Sequence, residues 1–181
     1  PRQETEQLAV GTMTKIIKLF GKDPKISIVD IGTGSGILGI YLKEYFPKSN
    51  VICTDISSKA LEIAKKNSEL HKVDIDFRLG DILKPISSEK DISVIVSNPP
   101  YIRSEDTVDI QTLKYEPHLA LFAKPATKFY EEILTSIMDA CLRFNKIDKM
   151  LEMYEEMIKS GIKPSSITCG IVIKAYGMKG D

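Results

Sequence analysis

Apolar positions follow two rhythms along the chain, and the change between them falls near Phe129. From Thr5 to Phe20, Leu8, Met13, Ile16, Ile17 and Phe20 recur at helical intervals and Gly21 supplies a stop, so the pattern predicts an opening helix. Four short runs rich in β-branched residues follow at 26–31, 51–54, 75–79 and 92–97, each reading as a strand. Residues 37–46 read as a helix between the first two strands. Residues 59–70 read as a helix between the second and third, with Ser57 as its N-cap. Strands alternating with helices require right-handed crossovers and a parallel sheet covered on both faces, which is a doubly wound α/β fold.

Beyond Phe129 no strand pattern continues. Ile147, Met150, Leu151, Tyr154, Met157 and Ile158 mark one helical face that Gly161 and Pro164 end. A packed stripe of Ile147, Leu151, Tyr154 and Ile158 is expected there. A shift of 35 residues superposes Met138 on Ile173, Ala140 on Ala175 and Ile137 on Val172, a weak internal repeat of helix-pair length. The expected organisation is an α/β domain over residues 1–130 and a helical segment over 131–181.

Composition narrows the functional classes. Lys and Arg total 25 and Asp and Glu total 25, so the chain lacks the basic field of a protein that grips nucleic acid mainly through phosphates. Cys53, Cys141 and Cys169 are odd in number and far apart, which fits neither a zinc cluster nor a disulfide framework, and a reducing compartment is expected. His71 and His118 lack neighbouring ligands and read as surface or capping residues, so no metal is expected. No apolar run approaches the roughly 20 residues that span a bilayer, so no membrane association is expected either.

The candidate chemistry begins where the first strand runs into Asp30-Ile31-Gly32-Thr33-Gly34-Ser35-Gly36. Glycines suit a sharp turn on which a ligand lies. Gly32, Gly34 and Gly36 form Gly-x-Gly-x-Gly, whereas the dinucleotide fingerprint would need glycine at Ile37. The spacing therefore points to S-adenosylmethionine rather than NAD, with Asp30, Gly32, Thr33, Gly34 and Gly36 around it. Asp55, 25 residues beyond Asp30, ends the second strand where a carboxylate can accept from two ribose hydroxyls. Ile56 can cover one adenine face, and Asp81 after the third strand can take the adenine amino group.

Directly after the fourth strand stands Asn98-Pro99-Pro100-Tyr101. Adjacent prolines stiffen the backbone and remove two donors, leaving the Pro99 carbonyl and the Asn98 side-chain oxygen as acceptors. Two acceptors suit one planar NH2 group. Gripping both hydrogens turns the nitrogen lone pair towards an electrophilic methyl, Tyr101 packs on the substrate's flat face, and the rate comes mainly from orientation.

With Pro1-Arg2-Gln3-Glu4-Thr5-Glu6, the glycine turn, Asn98 to Tyr101 and Glu116-Pro117-His118-Leu119-Ala120-Leu121, the first 132 or so residues resemble the HemK/PrmC family. The resemblance implies a class I methyltransferase fold, here ending after its fourth strand. It also implies methylation of the glutamine side-chain amide in the Gly-Gly-Gln loop of a peptide chain release factor, in the cytoplasm or an organelle. Asn98, Pro99 and Tyr101 would then be catalytic, Asn98 to Tyr101 would bind substrate, and Asn98 would also border the cofactor. From about Glu131 the chain resembles pentatricopeptide repeats, through Tyr154-Glu155-Glu156-Met157, Lys159 to Pro164 and Ile173 to Gly177. Such repeats read single-stranded RNA in long arrays, and Thr135 and Ser165 match base-reading positions. With about one and a half repeats, helical packing is the expected role of this segment ahead of RNA binding. Two other readings stand beside the leading one: an RNA-binding or interaction module carrying an inactive methyltransferase remnant, and a nucleic-acid adenine-amino methyltransferase.

Overall fold

Four segments, three of them rich in β-branched residues, pair as parallel strands, β1 (Ser27–Ile31), β2 (Asn50–Asp55), β3 (Asp76–Leu79, Asp-Phe-Arg-Leu) and β4 (Val94–Ser97), in the order β3-β2-β1-β4. The computed structural model describes residues 3–89, 91–98 and 126–180. Helices α1 (Gln3–Phe20), α2 (Ile37–Tyr45) and α3 (Ser58–Leu70) accompany the sheet, with a 3-10 turn at Lys84–Ile86. Ser57 caps α3 as expected, its hydroxyl accepting from the Ala60 N–H at 3.3 Å.

Register determines what the sheet buries. Ile28 pairs with Val51 and Val94, and Asp30 with Cys53 and Val96, so these six residues share one face. Against that face pack Ala9 and Ile16 of α1 and Leu38 and Leu42 of α2, together with Phe46. Contact between α2 and β2 is close because Gly39 has no side chain: a Cβ there would lie 2.2 Å from the buried Cys53 Sγ. Gly39→Ala is expected to destabilise the domain by at least ~1 kcal/mol, the usual cost of overpacking a closed core. Urea unfolding of variant and wild type measures it, and equal midpoints would contradict the packing argument.

Among the described residues, 126–180 belong to a second compact unit. Its described part consists of α4 (Ala126–Arg143), α5 (Ile147–Lys159) and α6 (Ser166–Lys179) around a core of Met138, Leu142, Met150, Met157, Val172 and Ala175. Asn145 (φ 57°) closes the turn after α4 and Gly161 (φ 73°) the turn after α5. The α5 stripe is rotated from its expected position. Met150 and Met157 are fully buried and Ile147, Leu151 and Tyr154 half-buried, whereas Ile158 is 47% exposed. Among the described residues no helix is long and apolar enough to cross a membrane.

Candidate active site

In an open parallel sheet, ligands bind outside the carboxyl ends of the strands, at the point where strand order reverses. Here that point lies between β1 and β4, since β2 and β3 build away from β1 on the other side. The glycine turn follows β1, Asp55 is the last residue of β2, Asp81 follows β3 and Asn98 follows β4. The fold thus brings to one sheet edge residues scattered between positions 30 and 98.

The turn is built from beneath. Gly32 and Thr33 both donate backbone N–H bonds to the Thr54 carbonyl, at 2.9 and 3.0 Å, which fastens the turn to β2. Asp30 is 1% exposed, and its Oδ2 accepts from the Thr33 hydroxyl at 2.6 Å and from the Gly39 N–H at 3.2 Å. The N-cap of α2 is Gly36, which has no side chain to offer, so Asp30 supplies the acceptor that the first turn of α2 lacks. Gly36 (φ 84°) is buried, and a Cβ there would lie 3.0 Å from the Ala64 Cβ. Asp30, Thr33 and Gly36 thus form the floor of the turn. Gly34 (φ 59°) lies on its open side, where a Cβ would meet nothing within 4 Å.

Burial beside Cys53 and Val96 pushes the Asp30 pKa up to about 6. The Thr33 and Gly39 hydrogen bonds oppose the rise, and the Asp55 charge adds to it. Burial likewise pushes the Cys53 thiol well above its ordinary value. For Asp30 the folded chain holds the proton more tightly than an unfolded one, whose value is 3.8. Stability from this group is therefore greatest below about pH 4, declines as pH rises to about 6, and is level above that. Asp30→Asn is expected to remove this slope. Urea unfolding of both proteins at about pH 4 and about pH 7 reads the difference.

Asp55 is partly exposed. Its Oδ2 accepts from the Gly34 N–H and its Oδ1 from the Ser57 N–H, both at 2.8 Å. An ionised carboxylate has about four lone-pair sites, so two bonds that fix its plane leave capacity for two more. Ile56 next to it is 68% exposed. Asp81 is half-exposed and pairs with Lys84 at 3.1 Å. Asn98 donates from Nδ2 to the Thr5 hydroxyl of α1 at 2.9 Å, and the preceding Ser97 hydroxyl donates to the Ile31 carbonyl at 2.7 Å. The Thr54 carbonyl, Ser97 and the Thr5 contact had no signal in local spacing. Pro99, Pro100, Tyr101 and the Glu116 to Leu121 motif, with His118, lie outside the described residues. His71 ends α3 with Nδ1 2.9 Å from the Glu44 carboxylate.

A glycine turn at the switch point of this parallel sheet, with an acidic residue closing the neighbouring strand, defines a class I methyltransferase fold. The Methyltransferase small domain family matches residues 7–115, and the chain belongs to that family. Residues 132–178 match the PPR repeat family. The chain is 40% identical over 137 residues to a release factor glutamine methyltransferase of Flavobacterium psychrophilum, covering 74% of this chain and 48% of that protein. It is also 40% identical over 141 residues to the Staphylococcus aureus protein of the same description, covering 76% and 49%. The chain thus spans about half the length of the curated relatives it matches. A solved putative O-methyltransferase from Nostoc punctiforme superposes with a TM-score of 0.50 at 15% identity, over 75% of this chain and 33% of that one, a likeness of fold alone.

Proposed function

We propose that residues 1–130 form a methyltransferase domain that uses S-adenosylmethionine to methylate a glutamine side-chain amide, in the Gly-Gly-Gln motif of a peptide chain release factor. The observation that carries this reading is the placement of Asn98 at the end of β4, across the switch point from the glycine turn. The relatives described as release factor glutamine methyltransferases support the choice of substrate.

The residues present fit the cofactor. Open space over Gly34 admits a ligand on the turn, and the fixed Asp55 carboxylate suits two ribose hydroxyls. Exposed Ile56 suits an adenine face and Asp81 an adenine amino group. Asp30, Gly32 and Gly34 are proposed to line the methionine end, with Thr33 and Gly36 beside them, and Asp30, Thr33 and Gly36 also shape the turn. Bound there, S-adenosylmethionine supplies a sulfonium methyl as electrophile.

The protein's part is orientation. Asn98 Oδ1 and the Pro99 carbonyl accept the two amide hydrogens of the substrate glutamine, Pro100 stiffens the loop, and Tyr101 packs against the flat amide. Held in this way, the amide nitrogen would present its lone pair to the methyl group that bound S-adenosylmethionine would supply, and would afterwards give one proton to water. No strong base is needed.

Residues 131–181 are proposed to pack as a helical unit rather than to read RNA. Thr135 is 9% exposed and donates to the Glu131 carboxylate at 2.8 Å, and Ser165 caps α6 in a reciprocal box with Thr168. Both base-reading positions are thus engaged within the protein. Burial works to raise the Glu131 pKa, but hydrogen bonds from Ser165, Thr168 and Thr135 outweigh it and hold the carboxyl below its ordinary value. Titration of the full chain with single-stranded RNAs is expected to show no sequence-selective binding, and tight selective binding would sink this assignment. The proposed compartment is the cytoplasm or an organelle.

Mass spectrometry of a Gly-Gly-Gln peptide and its parent release factor, after incubation with isotopically labelled cofactor, tests the reading. Transfer of one labelled methyl group to the glutamine is expected. Cofactor binding without transfer to either would favour an inactive remnant.

A further inference from the structure

Thr5 sits near the start of α1, 93 residues before Asn98 in the chain, yet its hydroxyl is 2.9 Å from Asn98 Nδ2. It is one of the few polar residues of the domain that are buried, at 9% exposure. The backbone at Asn98 is already held, because β4 pairs with β1 through Ile31 and Ser97 and the Ser97 hydroxyl bonds the Ile31 carbonyl. What the strand pairing leaves undetermined is the Asn98 side chain, with two torsions and an amide whose two ends differ in chemistry. A carboxamide presenting NH2 to a substrate NH2 would set donor against donor. Only the oxygen end can accept.

We propose that Thr5 is a positioning residue for Asn98, its hydroxyl holding Nδ2 so that the other branch of the amide, Oδ1, serves as the acceptor for the reacting nitrogen. This rests on the glutamine-amide methyltransferase reading and deepens it. Thr5 touches neither substrate nor cofactor and acts through Asn98. The contact also gives the amino-terminal helix a part in the reaction, since it reaches from α1 to the end of β4 at the switch point of the sheet.

The test compares Thr5→Val, which keeps the shape and removes the hydroxyl, with Thr5→Ser, which keeps the hydroxyl, in the full chain. Turnover of a Gly-Gly-Gln peptide is expected to fall roughly 10- to 100-fold in Thr5→Val and to stay near wild type in Thr5→Ser. The calorimetric Kd for S-adenosylmethionine should move less than about two-fold in both, because that site is built on β1 and β2. In an Asn98→Ala background, Thr5→Val should cost no further turnover. Should Thr5→Val fail to bind cofactor, Thr5→Ala replaces it in the same comparison. Wild-type turnover in Thr5→Val overturns the proposal, as does equal impairment in Thr5→Ser, or a full additional loss in the Asn98→Ala background. A wild type that transfers no methyl group overturns the function reading and this proposal together, and that failure is recognised from the wild type alone.

Discussion

Asn98→Ala is expected to lower turnover by roughly 10- to 1000-fold, the range seen when an oriented polar group at a reacting centre is removed. The loss falls on the chemical step because the side chain acts where alignment of the amide lone pair with the methyl carbon sets the rate. Stability should change little. The residue is only partly buried, and its described side-chain bond is the single contact to Thr5, whose loss costs about 1 kcal/mol. Cofactor affinity should persist, since the turn is fastened by Thr54, Asp30 and Asp55 rather than by Asn98. Single-turnover assays beside calorimetric titration separate the effects, and a variant with undiminished turnover would end the substrate-clamp reading.

Three of the four strands were legible because β1, β2 and β4 carry enough β-branched residues to announce themselves, whereas β3 (Asp-Phe-Arg-Leu) carries none and was marked by Ile75 and Phe77. The strand ends belong to pairing rather than to composition. Residues 26 and 92 look like strand in isolation, yet β1 begins at Ser27, where its ladder with β2 starts at Asn50, and β4 begins at Val94, where its ladder with β1 starts at Ile28. Asp55 reads as the residue ending β2, and it is the last residue of that strand, paired with Leu79 of β3. The Asp-x-Gly-x-Gly spacing announced a site but could not show that Asp30 shares a buried face with Cys53 and Val96. That placement depends on two other strands, and it adds support of the turn to the role proposed for Asp30 beside the cofactor. The Thr5 contact is less legible still, being 93 residues long and invisible to any local period. In α5 the periodicity was correct and its centre was not. Neighbouring helices close over Met150 and Met157, and Ile158, one position further round, stays 47% exposed.

Asp55→Ala is expected to weaken binding of S-adenosylmethionine by about 1–3 kcal/mol, roughly 5- to 150-fold in Kd, for the loss of charge-assisted hydrogen bonds. Two losses combine here. The ribose hydroxyls would lose their acceptor, and the Gly34 and Ser57 N–H groups, each held at 2.8 Å, would lose theirs. The second loss loosens the turn on which the ligand lies, so the fall should exceed what removal of a surface carboxylate causes. Asp55→Asn separates the two contributions: its one carbonyl oxygen can hold either Gly34 or Ser57 but not both, while its NH2 group faces donors with a donor. An affinity below that of wild type is expected for both variants. Asp55→Asn should bind no better than Asp55→Ala if unfavourable pairing of its NH2 group outweighs the restored bond. Removal of the Asp55 charge should also let the buried Asp30 carboxyl, whose pKa that charge helps raise, ionise at lower pH. Isothermal titration at constant ionic strength gives the affinities, and an Asp55→Ala protein that binds the cofactor as tightly as wild type would remove Asp55 from the site.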